Sequence, residues 1–153
     1  LVEESQLQLL RSKLSAESLR NLMALENPKL HAFVADSIAL CNPKSVFVCT
    51  DSPADMARMR SLAVETGEEK PLKTGGHTYH FDGYNDQGRD KGSTRYLLPP
   101  GVNLGASLNS IAKAEGLAEV TGLLRDSMLG RTMLVRFFCL GPVKSAFSIC
   151  GVQ

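Results

Sequence analysis

Tryptophan is absent from the 153 residues, and three tyrosines with six phenylalanines are all the aromatic residues there are. So few flat rings argue against base-stacking platforms for single-stranded nucleic acid. An excess of one charge is missing too. The 17 Lys and Arg face 16 Asp and Glu, for a formal charge of +1, and both signs are spread along the chain. That distribution speaks against a nucleic-acid stripe or a polybasic membrane patch. No apolar run has membrane-spanning length, and no signal peptide is evident. No CxxC occurs. The four cysteines, Cys41, Cys49, Cys139 and Cys150, lie in or beside apolar runs such as "VFVCT" and "FSICGV". Buried reduced thiols in a cytoplasmic protein are the simplest account, with a disulfide as the alternative. The expectation is a chain with neither nucleic acid nor membrane as partner.

What is present is the composition of a globular domain, 43% hydrophobic and 22% charged. A chain this long buries a core without staples. It begins with Leu1 and stops at "SICGVQ", an alternating run that reads as the middle of a strand. A piece of a larger protein is therefore expected.

Residues 3–26 read as two short helices separated near Ser15, a candidate cap for the second. In "PKLHAFVADSIALC", Leu30, Phe33, Val34, Ile38 and Cys41 fall at helical spacing, with Pro28 near the start and Asn42-Pro43 ending the helix. The β-branched run "SVFVCT" predicts a buried strand. In "DSPADMARMRSLAVETG", Ser52 caps, Pro53 suits the first turn, Asp55 completes a capping box and Gly67 stops the helix. Met56, Met59 and Ala63 mark its inner face. "HTYHF" (77–81) and "STRYLL" (93–98) predict two strands joined by a Gly/Asp/Asn-rich loop. "SLNSIAKAEGLAEVTGLLRDSM" predicts a helix loosened near Gly116 and Gly122. "GRTMLVRFF" and "SAFSICGV" predict strands around the turn "CLGPVKS". Such alternation indicates an α/β fold, a mixed β-sheet with flanking helices.

Several groupings carry potential chemistry. His77, His80, Asp82 and Asp86 cluster in "GGHTYHFDGYND", which raises a metal site. On a strand, however, His77 and His80 point to opposite faces, and zinc needs its ligands convergent. Gly75-Gly76 and "GPVKS" with Lys144-Ser145 lack the spacing of a P-loop and read as turns. Three histidines give no convincing nucleophile triad. Arg136, amid apolar neighbours in "MLVRFFC", needs a partner or an exit to solvent, and an Asp or Glu is the expected partner.

Arg89 in "DQGRDKGSTRYLLPPG" has a different setting. Gly88 lets backbone approach closely, and the strand after it would hold the loop. A guanidinium there could grip a carboxylate or phosphate with two parallel hydrogen bonds. The plainer alternative is a surface arginine neutralised by Asp86 or Asp90.

Three stretches together resemble the N-terminal part of GTP-dependent phosphoenolpyruvate carboxykinase, in a divergent microbial or archaeal-type form. The most specific is "GRTMLVRFFCLGPVKSAFSICGVQ", where Gly130, Arg131, Thr132, Met133, Val135, Phe138, Gly141, Pro142, Ser145, Ser148 and Gly151 match the family pattern without a gap. "LCNPKSVFVCTDS" is similar to the family's first strand and the turn after it. In "GRDKGST", Arg89 and Thr94 keep the spacing of an Ala-Arg-x-x-x-x-Thr segment. Gly88 departs from the usual alanine, and Arg136-Phe137 stand where many members have Ile-Pro.

The resemblance implies that residues 1–153 form one incomplete N-terminal domain, the lobe of a phosphoenolpyruvate carboxykinase-like fold, without the nucleotide-binding C-terminal domain. It implies a cytoplasmic, monomeric lyase of gluconeogenesis, a decarboxylase that converts oxaloacetate and GTP to phosphoenolpyruvate, GDP and CO2. Arg89 would bind the substrate. Mn2+ or Mg2+ and GTP would be held by residues beyond this chain, which by itself would be inactive and contain no catalytic or metal-binding residue. The alternatives are a free-standing anion-binding or interaction module sharing this lobe, and a zinc protein using His77 and His80.

Overall fold

The computed structural model describes residues 3–83, 92 and 94–153. Two compact units emerge, residues 1–57 with 124–153 and residues 58–123.

In the first unit, α1 (Glu4–Lys13) and α2 (Ala16–Met23) are separated at Ser15, whose hydroxyl accepts the Ser18 N–H at 3.1 Å. The predicted cap is therefore in place. Helix α3 (Pro28–Cys41) has Pro28 in its first turn and Asn27 as its cap, accepting from the N–H groups of Lys29 and Leu30. It ends at Asn42, as expected, but through a left-handed turn (φ 51°, ψ 55°) rather than an extended residue. The turn suits Asn, and the Asn42 amide donates to Asp126 Oδ1 at 2.9 Å.

Strand β1 (Ser45–Val48) follows, and α4 (Pro53–Glu65) starts five residues later. Val46 and Val48 are buried. They join Leu10, Leu14, Leu22, Val34, Ala35, Ile38 and Val135 in one apolar cluster that forms the core of this unit. The inner face of α3 is Val34, Ala35, Ile38 and Cys41 with His31, whose Nε2 lies 3.0 Å from the Leu22 carbonyl. Phe33, expected inside, is half exposed.

Strands β6 (Thr132–Val135), β7 (Phe137–Leu140) and β8 (Ile149–Val152) complete the unit. β6 lies parallel to β1, and β7 pairs antiparallel with β8. The junction is Arg136. The Val135 carbonyl accepts from Cys49 N–H on the β1 side, while Arg136 exchanges both backbone hydrogen bonds with Gln153. Consecutive residues of a strand aim their backbone groups at opposite edges, so one extended run serves two partners in turn.

In the second unit, β2 (Lys70–Pro71) pairs antiparallel with β3 (Thr78–Tyr79) around the Gly75-Gly76 turn, and β4 (Tyr96–Leu98) pairs in parallel with β5 (Ser110–Ala112). The runs 77–81 and 93–98 thus contain strands, but shorter ones that belong to different ladders. Helix α5 (Lys113–Leu124) passes through Gly116 and Gly122 without a break. Gly116 is there for proximity: a Cβ on it would lie 2.2 Å from Leu97 Cδ2. Met56 and most of α4 remain exposed, with Met59, Leu62, Ala63 and Val64 half buried. The α/β class holds. In place of one mixed sheet, the described residues form four two-stranded ladders.

Candidate functional site

Arg89, the predicted anion-binding residue, lies outside the described residues, as do Asp86 and Asp90. The two other motif segments are described, and the fold brings them together. "LCNPKSVFVCTDS" supplies β1 and the turn into α4, and "GRTMLVRFF" supplies β6, with Ser45 opposite Thr132 and Val48 opposite Val135. The Ser45 and Thr132 hydroxyls lie 3.0 Å apart across 87 residues of sequence.

Beyond the carboxyl ends of β1 and β6, polar groups collect around Cys49. Asp55 accepts from the Thr50 N–H at 2.8 Å and from the Thr50 hydroxyl at 2.5 Å. The Asp55 N–H in turn donates to Ser52 Oγ at 3.1 Å. Ser52 caps as the sequence predicts; the Asp55 carboxylate grips Thr50 instead of closing the box on Ser52. The threonine two places after the strand was the sign of this, since a hydroxyl beside a free backbone N–H gives a carboxylate two donors. Burial pushes the Cys49 thiol above its ordinary value and the Asp55 charge adds to this, while the Arg136 guanidinium opposes both. Open strand ends of a parallel pair are where ligands of α/β proteins sit.

Arg136 is exposed, and its Nη2 donates to the Gln153 carboxamide at 3.2 Å. Sequence reasoning expected an Asp or Glu there. The exit to solvent explains the difference, because a solvated guanidinium does not require a countercharge.

The histidine segment is in the second unit. His77 precedes β3 and His80 follows it. His80 Nδ1 donates to the Glu68 carbonyl at 2.5 Å, and its Nε2 lies 3.2 Å from Asp82 Oδ1. The Glu68 carbonyl, outweighing desolvation, and then Asp82 raise its pKa above the ordinary value. Among the described residues no three His, Cys, Asp or Glu side chains converge on a point that could hold a metal. "GPVKS" forms a tight turn with Gly141 and Lys144 at positive φ, closed by Ser145 N–H and the Ser148 hydroxyl on the Pro142 carbonyl. No described helix is long and apolar enough to cross a membrane.

The cysteines divide unevenly. Cys41 and Cys49 are buried as expected, but Cys139 is half buried and Cys150 exposed, and all four are free. Cys150 lines a groove of about 420 Å³ together with Leu30, Phe33, Phe137 and Val152.

Residues 32–153 match the family model of the phosphoenolpyruvate carboxykinase N-terminal domain. Among curated proteins, the chain is 42% identical over 144 residues to phosphoenolpyruvate carboxykinase [GTP] of Thermococcus sibiricus, covering 94% of this chain and 23% of that protein. It is 43% identical over 144 residues to the protein of the same name from Pyrococcus horikoshii, with the same coverage. The identity is 44% over 147 residues with that of Thermococcus kodakarensis, covering 96% and 23%. The chain thus spans less than a quarter of the length of these relatives.

Proposed function

The chain belongs to the phosphoenolpyruvate carboxykinase N-terminal domain family, and from that premise we propose that it is the N-terminal part of an enzyme converting oxaloacetate and GTP to phosphoenolpyruvate, GDP and CO2. One observation carries the reading: identity of 42–44% to carboxykinases named for GTP runs through 94–96% of the chain. The pairing of β1 with β6 supports it, because two separated stretches that resemble the family are the ones joined.

In this reading residues 1–153 are one N-terminal domain, a carboxykinase-like lobe, and the nucleotide-binding part is supplied by sequence outside it. Arg89 holds the dianionic substrate. Loss of CO2 breaks a C–C bond and leaves its electron pair as an enolate, whose oxygen attacks the terminal phosphorus of GTP as GDP departs. A fixed guanidinium lowers the barrier by orienting oxaloacetate before either step. Mn2+ or Mg2+ belongs to the complete enzyme. Among the described residues no three His, Cys, Asp or Glu side chains converge to hold it; residues of the complete enzyme outside this chain would do so. The enzyme is cytoplasmic and monomeric, and residues 1–153 alone are inactive.

The test is an assay of the complete protein and of residues 1–153 in parallel, following phosphoenolpyruvate formation from oxaloacetate with GTP and Mn2+ or Mg2+. Turnover by the complete protein alone is expected. A silent complete protein would refute the activity, and turnover by the 153 residues would refute the division of labour.

A further inference from the structure

Cys139 on β7 and Cys150 on β8 stand directly opposite each other in the antiparallel ladder. The kind of pair they form follows from the backbone. Arg136 and Gln153 exchange both hydrogen bonds, at 2.8 and 2.9 Å. Hydrogen-bonded and non-hydrogen-bonded pairs alternate along such a ladder. Counting through Phe137–Val152 and Phe138–Gly151 makes Cys139–Cys150 a non-hydrogen-bonded pair. In these the Cα atoms are about 4.5 Å apart and the side chains lean together, which falls within the roughly 4.4–6.8 Å a disulfide spans. Opposite residues also share a face of the hairpin.

The register is pinned from the other face. Phe138 lies over Gly151 so closely that a Cβ there would meet the ring at 2.5 Å. A slip by one residue would put a side chain under the ring and separate the two thiols. Access is asymmetric: Cys150 is exposed on the groove and Cys139 is half buried beside it. The two remaining cysteines are buried, Cys41 at the end of α3 and Cys49 just after β1.

We propose that Cys139 and Cys150 are a reversible dithiol–disulfide pair, a modification site for low-molecular-weight disulfides. The Cys150 thiolate attacks one sulfur of the small disulfide, forming a mixed disulfide and expelling one small thiolate. The Cys139 thiolate then attacks the Cys150 sulfur, closing the protein bond and expelling the second small thiolate. The two electrons end on the small disulfide, and the two cysteine protons end on the released thiols. Excess small thiol reverses both exchanges. The inference depends on the hairpin alone and is independent of the carboxykinase reading.

The full chain is incubated with oxidised glutathione, alkylated and mapped by mass spectrometry under non-reducing conditions. Of the four thiols within residues 1–153, two should be lost, with Cys139 and Cys150 linked within one chain, and reduced glutathione should restore both. Cys139→Ser should stop at a stable glutathione adduct on Cys150, and Cys150→Ser should form no link. Mapping of the unaltered chain needs no variant, so a misfolded serine variant leaves the result intact. Retention of four thiols, glutathione adducts without closure in the unaltered chain, or links to Cys41, Cys49 or a second chain would each overturn the proposal.

Discussion

His80 is exposed, yet two acceptors grip both its ring nitrogens. A protonated imidazole donates from both nitrogens, whereas the neutral ring donates from one. The cation serves both acceptors at once: the Glu68 carbonyl favours it most, and Asp82 adds to this. The folded pKa therefore lies above the ordinary value of about 6.5. The sign for stability follows. The contribution of this contact to the residue 68–82 segment is complete below the unfolded pKa and is lost as pH rises through the folded one. An NMR titration of the ring should show a midpoint above the ordinary histidine value, and Asp82→Asn should bring it partway back. A midpoint at or below that value, or one indifferent to Asp82→Asn, would show that the two acceptors do not act on the ring.

Helices and strands were legible in the sequence to different depths. Caps and stops are local chemistry, and Ser15, Pro28, Ser52 and Gly67 all act where their types predict. Asn42 is the informative case, since proline alone predicted the stop while the left-handed turn and the bond to Asp126 came from distant packing. Ala at 42 should cost about 1–2 kcal/mol through backbone strain and the lost exposed hydrogen bond. Gly at 42 keeps the turn and loses only the bond, so it should cost clearly less. Urea midpoints of the two variants test this ordering, and equal losses would leave the strain argument without support. Pairings were hidden for a physical reason. The partner of β1 is 87 residues away, and nothing in "HTYHF" or "STRYLL" declares that their strands join separate ladders. Gly116 misled because glycine usually loosens a helix, whereas here it admits Leu97.

Over the whole molecule, the described framework was more legible than the proposed substrate-binding residue. The Gly130–Gln153 stretch and the Leu40–Ser52 stretch each announced strands and turns, and the fold joins them at β1 and β6. Arg89 was found by setting and resemblance, and it lies outside the described residues, so its role must be settled by function. The complete protein is the proper material, because the chain spans under a quarter of its relatives. If Arg89 holds oxaloacetate, Arg89→Ala removes a hydrogen bond between charged groups, worth roughly 1.5–3 kcal/mol. At about 1.4 kcal/mol per factor of ten, kcat/KM for oxaloacetate should fall roughly ten- to a hundredfold. Arg89→Lys should recover only part of this, since an ammonium keeps the charge but cannot offer the paired donors of a guanidinium. GTP affinity should be unchanged in both variants, which separates substrate positioning from general damage to the enzyme. Unaltered oxaloacetate kinetics in Arg89→Ala would return that residue to the surface, paired with its acidic neighbours, and move the search for the anion-binding group elsewhere in the complete protein.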